Sequence, residues 1–183
     1  MGSPYRHIRR RDTNRFAALE ARILKPLKSD LRVGVLSDTH GLLRPEARAF
    51  LIGSDYIVHG GDVGDPQILE ELAAIAPLIA VRGNNDTQPW AARLRHTELI
   101  RIGNVFAYVI HDLAELDIDP GAAGVSVVIS GHSHQPTMNK RDGILYVNPG
   151  SCGPRRFTLP ISVGEILVTG NDVSARTLEL CVT

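Results

Sequence analysis

The sequence predicts an α/β fold in which two mixed sheets pack face to face with helices on the outside. Two patterns carry this. Over residues 31–81 short apolar runs alternate with stretches of helical periodicity, as parallel strands joined by crossover helices require. Beyond residue 96 the apolar runs are instead separated by short turns, and Gly103-Asn104 and Gly170-Asn171 stand where two-residue hairpin loops belong. A third pattern bears on chemistry: Asp, His and Asn recur at the ends of successive predicted strands.

Residues 31–37 read as a buried strand that runs straight into Asp38. Helical spacing follows over residues 45–51, with Pro45 suited to a first helical turn because its missing N–H would be unpaired there anyway. Residues 56–59 form a second strand ending at Gly60-Gly61-Asp62. Residues 66–76 form a second helix with Ile68, Leu69, Leu72 and Ile75 on one face. A third strand, residues 78–81, ends at Gly83-Asn84, so the strands of this β-α-β-α-β run should be parallel with right-handed connections. Residues 96–102 and 105–110 form a hairpin, residues 125–129 lead to Gly131-His132-Ser133-His134, and residues 144–147 lead to Asn148-Pro149-Gly150-Ser151. Residues 162–168 and 173–180 close the chain as a second hairpin. Between residues 113 and 124 the chain is short and holds Pro120-Gly121, which leaves room for a turn or two of helix.

A length of 183 residues suits one domain, taken as residues 30–183. Residues 1–29 read as a basic extension, partly helical or disordered, with Phe16, Leu19 and Ile23 on one face. Net charge is zero, yet eight basic and two acidic residues fall in 1–28, leaving twelve basic and eighteen acidic in the rest. An acidic body argues against nucleic acid, which needs a basic track. The two cysteines, Cys152 and Cys181, form no C-x-x-C pair and read as reduced thiols. No apolar stretch is long enough to cross a bilayer, and the apolar run after Arg9-Arg10-Arg11 is broken by Glu20 and Arg22, so a cytoplasmic location is expected and no membrane partner.

The strand-end residues are Asp38-Thr39-His40, Gly61-Asp62, Gly83-Asn84-Asn85-Asp86, His111 and Gly131-His132-Ser133-His134. Side chains from several strands meet beyond the carboxyl ends of an α/β sheet. In Asp38-x-His40 and His132-x-His134 the intervening residue lets two side chains of an extended segment point the same way. Glycines 61, 83 and 131 directly precede donors, where close backbone approach is cheapest. Singly, each fragment has a plain structural reading: a turn, a helix cap or a hydrogen-bonded core histidine. Together, carboxylates, imidazoles and an amide oxygen make the donor set of two neighbouring divalent cations.

With these blocks in this order, the chain resembles the calcineurin-like metallophosphoesterases over residues 31–180, in particular the small bacterial and archaeal phosphodiesterase branch that also contains vacuolar sorting protein 29. The resemblance implies a four-layer α-β-β-α sandwich. It also implies one ion held by Asp38, His40, Asp62 and His134 and a second by Asp62, Asn84, His111 and His132, with Asp62 as the bridge. Two cations about 3.5 to 4 Å apart can hold a bridging hydroxide that attacks phosphorus in line. Manganese is the first expectation, with iron, cobalt, zinc or nickel as alternatives, and calcium is disfavoured. The candidate catalytic residues are His40, Asn84 and Asp86, the last as the partner that orients His40.

Two departures stand out. Larger relatives carry histidine after the Gly-Asn pair, where this chain has Asn85, an amide that cannot deliver a proton at neutral pH. The family commonly has glycine after the third-block histidine, where this chain has Asp112. Asn85 and Arg155 are candidate substrate contacts, and Arg156 beside Arg155 could share in clamping a phosphate. Arg155 and Arg156 read equally as a solvated surface pair. His59 reads as a buried or donor-orienting residue, and Trp90 as a packing residue beneath the Asn84 loop or, less favoured, a stacking face for a nucleobase or aryl leaving group. The function expected is hydrolysis of small phosphodiesters. The alternatives are a binding module of the vacuolar sorting protein 29 type, a phosphomonoesterase and a nuclease. A homo-oligomer is an expectation from the relatives.

Overall fold

The computed structural model describes residues 22–24 and 30–182. In chain order its elements are β1 (Arg22–Leu24), β2 (Asp30–Leu36), α1 (Pro45–Leu51), β3 (Tyr56–His59), α2 (Pro66–Ala73), β4 (Leu78–Ala80), β5 (Thr97–Ile102), β6 (Val105–Ile110), β7 (Val125–Ile129), β8 (Thr137–Arg141), β9 (Ile144–Asn148), β10 (Ser162–Thr169) and β11 (Asp172–Glu179). One sheet has the order β11-β10-β2-β3-β4 and the other β1-β5-β6-β7-β9-β8. In the first, β2, β3 and β4 are parallel while β10 and β11 are antiparallel additions. In the second, β6, β7 and β9 are parallel, flanked by the antiparallel neighbours β5 and β8. Both sheets are therefore mixed, as expected.

Alternation along β2 shows how the layers arise. Leu31, Val33 and Val35 enter the core between the sheets, where they join residues such as Ile100, Val109 and Val127. Leu36 faces the other way and packs with Leu51 of α1 and Leu72 of α2. Gly34 lies on that same face, where a Cβ would collide with the Leu51 side chain, so α1 sits directly on the strand. Arg32 reaches from β2 to the end of α1, where its guanidinium donates to the Phe50 and Ile52 carbonyls and its Nε to Glu165.

The helices begin as the sequence leads one to expect, with Pro45 and Pro66 in their first turns and the Asp65 carboxylate accepting the Gln67 N–H at 2.8 Å. α2 stops at Ala73, short of the predicted end at 76, because Pro77 disfavours helical backbone just ahead of it. The outer face of the second sheet is covered by residues 113–124, with Leu113, Leu116 and Ile118 packed against Tyr108 and Val128. Its fourth layer is thus reduced to irregular chain and one 3₁₀ turn, Leu113–Glu115.

Three elements depart from expectation. Arg22–Leu24 is a strand paired in parallel with β5 rather than helix, and the rest of the predicted extension lies outside the described residues. β8 was not predicted, since all five of its residues are exposed and carry no apolar alternation. It pairs with β9 through Asp142-Gly143, both at positive φ, a hairpin signal present in the sequence. Residues 89–93, which lack either periodicity, form a 3₁₀ helix. Among the described residues no helix is long and apolar enough to cross a membrane.

Candidate metal centre

The parallel strands β2, β3 and β4 of one sheet and β6, β7 and β9 of the other end at one edge, and the donors lie in the loops just beyond. The β2–β3 ladder continues past both strands: the Asp38 N–H donates to the Gly61 carbonyl at 3.0 Å and the His40 N–H to the Asp62 carbonyl at 2.9 Å. There the chain bends through left-handed backbone. Asp38, His40, Asp62, His132 and His134 have φ of 56, 45, 56, 67 and 58°. They are five of the seven non-glycine residues with positive φ among those described. Such backbone is disfavoured by roughly 1–2 kcal/mol per L-residue and is found where a site demands it. The preceding glycines allow the close approach: a Cβ on Gly83 would strike Asp62, and one on Gly131 would strike Ser37 and Asp38.

The structure brings all seven predicted donors together, in two groups joined by Asp62. In the first, His40 Nε2 and His134 Nε2 lie 3.1 Å apart, and Asp38 Oδ1 is 3.8 and 3.3 Å from them. Asp38 Oδ1 is buried with no hydrogen-bond partner, while Oδ2 accepts the His132 N–H at 3.1 Å. In the second, the His111 Nδ1–H donates to the Gly60 carbonyl at 2.7 Å, which turns Nε2 into the centre. That nitrogen faces Asn84 Oδ1 at 3.0 Å and Asp62 Oδ2 at 3.4 Å, and His132 Nδ1 also lies 3.0 Å from Asn84 Oδ1. Asp62 Oδ2 sits between the groups, 3.7 Å from His40 Nε2. Donor atoms of Asp38, His40 and His134, and again of Asp38, Asp62 and His111, fall within 4.8 Å of one another. Lone pairs that converge with few protons between them, beside an orphaned carboxylate oxygen, fit a bound cation.

The electrostatics agree. Burial would raise the Asp62 carboxyl, but hydrogen bonds from His111 and Asn85 outweigh it and hold the group well below the usual carboxylate range. Burial opposes protonation of His111, yet the Asp62 and Gly60 hydrogen bonds and the nearby carboxylates raise its pKa. Burial lowers His40 despite Asp62 and Asp38, with Arg156 and His134 adding to the effect. His59, fully buried, is pushed down to about 4 mainly by desolvation. Its Nδ1 accepts the Gly61 N–H and its Nε2–H donates to Thr39 Oγ1, whose hydroxyl passes to the Val63 carbonyl. A neutral imidazole thus ties the Asp38 and Asp62 loops together, consistent with its reading as a buried residue.

Several expected roles change. Asp86 does not orient His40. Its carboxylate instead accepts the N–H groups of Val63, Gly64 and Gly83 at 3.1, 2.9 and 2.9 Å, because three backbone donors of the turning loops surround it. Asn85 binds Asp62, through its side-chain amide at 2.6 Å and its backbone N–H at 2.8 Å. Arg155 turns away to the Leu159 carbonyl, while Arg156 places Nη2 3.3 Å from His40 Nε2. Trp90 packs against the helix-side core. Cys152 is buried beneath the site with its thiol pushed up to about 12 by burial, so it stays a thiol, and both cysteines are free. Sequence reasoning gave no role to Asn148, whose amide donates to the Gly131 carbonyl at 2.6 Å and to Ser133 Oγ at 3.1 Å, fixing the His132–His134 loop. Its place in Asn-Pro-Gly-Ser was the available signal.

Comparison with known proteins points the same way. Residues 31–170 match the model of the calcineurin-like phosphoesterase superfamily domain. A probable metallophosphoesterase of Methanothermobacter thermautotrophicus is 36% identical over 155 residues, covering 78% of this chain and 89% of the relative. A phosphodiesterase of Methanocaldococcus jannaschii is 28% identical over 142 residues, covering 67% and 84%. Vacuolar protein sorting 29 of Cryptosporidium parvum shares the fold with a TM-score of 0.66 at 18% identity, over 82% of this chain and 99% of that one. By sequence and by architecture, this chain belongs to the calcineurin-like phosphoesterase superfamily.

Proposed function

We propose that the protein is a dinuclear metal-dependent phosphodiesterase acting on small phosphodiesters. The observation that carries this reading is the pair of donor groups sharing one carboxylate, with Asp62 Oδ2 lying 3.7 Å from His40 Nε2 and 3.4 Å from His111 Nε2. Asp38, His40, Asp62 and His134 would hold one divalent ion, and Asp62, Asn84, His111 and His132 the other. Manganese is the first choice for oxygen and imidazole donors without thiolate, with iron, cobalt, zinc and nickel behind it. When bound, such a pair polarises phosphoryl oxygens and supplies a water-derived nucleophile at neutral pH.

The chain's own residues shape the rest. Arg156, with Nη2 3.3 Å from His40 Nε2, would meet a phosphoryl oxygen bound there. One guanidinium, with the Asp112 carboxylate across the centre near His132, suits a singly charged diester better than a doubly charged monoester. Asn85 can hold Asp62 but cannot protonate a leaving alkoxide, so diesters with acidic alcohols should turn over best. A chain kept only as a protein-binding surface has no use for buried donors on left-handed backbone, which favours the enzyme over the scaffold. The acidic body disfavours nucleic acid as substrate. The test is metal stoichiometry, followed by relative turnover of a bis-aryl phosphodiester and its aryl monoester with added manganese. Two ions per chain and preference for the diester are expected; the reverse preference would make it a monoesterase.

A further inference from the structure

Asp112 follows His111 directly, and its carboxylate faces two ways. Oδ1 accepts the Ala114 N–H at 2.9 Å and caps the 3₁₀ turn Leu113–Glu115. Oδ2 lies 3.5 Å from His132 Nε2. On the opposite side of that ring, Nδ1 faces Asn84 Oδ1 at 3.0 Å, within the donor group that includes His111. His132 is also the loosest of the candidate imidazoles, with its side chain 45% exposed. His111 is fixed by the Gly60 carbonyl, and His40 and His134 stack on each other at 5.1 Å between ring centres. Among the described residues Asp112 is the carboxylate at ion-pair distance from the outer nitrogen of His132.

We infer that Asp112 is a positioning residue for His132: its carboxylate charge, 3.5 Å from Nε2, favours the ring proton on that nitrogen and so keeps the Nδ1 lone pair aimed at the ion that Asn84, His111 and Asp62 would share. This rests on the dinuclear reading above. A neutral imidazole has one ring proton, and a carboxylate beside one nitrogen fixes that proton there and the lone pair on the other. The cap through Oδ1 gives Oδ2 a defined position. Without the carboxylate, a half-exposed ring could turn about its Cβ–Cγ bond and carry Nδ1 out of reach of the ion. Asp112 is also a negative charge close to the centre, so plain attraction of cations must be separated from action through the ring.

The experiment titrates the metal-free protein with manganese ions alone and reads each binding step by calorimetry. Asp112→Asn retains a cap for Ala114, so the turn should survive. It is expected to weaken the step belonging to the His132 half by several-fold, up to about 10-fold and no more than loss of His132 itself, and leave the other unchanged. In a His132→Ala background the same substitution should then have no further effect, since the group it acts through is gone. Unchanged affinities in Asp112→Asn, or an equal loss with and without His132, would overturn the inference while leaving the dinuclear reading intact. A parent protein that takes up fewer than two ions would overturn that reading and this inference with it.

Discussion

Around Asp38 and His134 the centre is closed, whereas around Asn84 and His132 it is open to solvent. Asp38 is wholly buried and His134 nearly so, with Asp38 Oδ1 and His134 Nδ1 lacking any hydrogen-bond partner. Asn84 and His132 are exposed, and the outer nitrogen of His132 faces Asp112. A buried polar atom without a partner destabilises the fold until something binds it, while an exposed one is satisfied by water. The two halves therefore differ in what an ion does for them. On the dinuclear reading proposed above, a cation would complete the structure in the closed half and the chemistry in the open half.

The substitution that breaks both halves is Asp62→Asn. Asparagine keeps the shape and tolerates the backbone φ of 56° but removes the shared charge. Phosphodiesterase turnover should fall by on the order of 10³-fold or more, with loss of bound manganese. Full activity in this variant would falsify the site.

Next in size is a difference between imidazoles. Ion affinity in the closed half should drop by about 100-fold or more in His134→Ala, whereas His132→Ala should affect the open half by about 10-fold. Thermal unfolding sharpens the contrast. Manganese at about 100 times its dissociation constant stabilises by roughly 2.7 kcal/mol, and His134→Ala should lose more of that gain than His132→Ala. Equal losses would mean that the halves are not distinct.

Acid reveals the support beneath the closed half. His59 is neutral in the fold down to about pH 4, against an ordinary value of 6.5. Below pH 6.5 the unfolded chain binds the proton first, so this contribution is present at higher pH and is lost as the pH falls from 6.5 towards 4. His59 alone should cost about 2 kcal/mol between pH 8 and pH 5. His111 acts oppositely, its contribution fading as the pH rises through its raised pKa. Urea unfolding of the metal-free protein at both pH values should show the acid loss, and His59→Gln should reduce it. The smallest effect concerns the rim. Arg156→Ala should raise KM for a diester by about 10-fold, equivalent to about 1.4 kcal/mol, while Arg155→Ala should leave it nearly unchanged.

The donors were legible because their chemistry and their place at strand ends coincide, and neither depends on fine geometry. The arrangement of β2, β3 and β4 followed from alternating periodicities, and the reduced fourth layer from the shortness of residues 113–124. What escaped reading depends on direction. Asp86 looks like a partner for an imidazole, but nothing in the residue string says that three N–H groups turn toward it. Arg155 and Arg156 are chemically identical neighbours. Which one faces His40 is set by an irregular loop in which Phe157 takes φ of 53°. Strand β8 is a polar edge with no apolar face to announce it, although Asp142-Gly143 marked its turn.

The left-handed backbone at five donors places two independent filters on the same positions. Each must offer an oxygen or nitrogen lone pair, and each must also tolerate a conformation that Asp, Asn, His and Gly accept far better than β-branched residues do. Descendants of such a chain that gave up hydrolysis would be released from the first filter but not the second. Vacated positions should then drift toward asparagine and glycine, leaving a conformational fossil of the centre after its chemistry has gone.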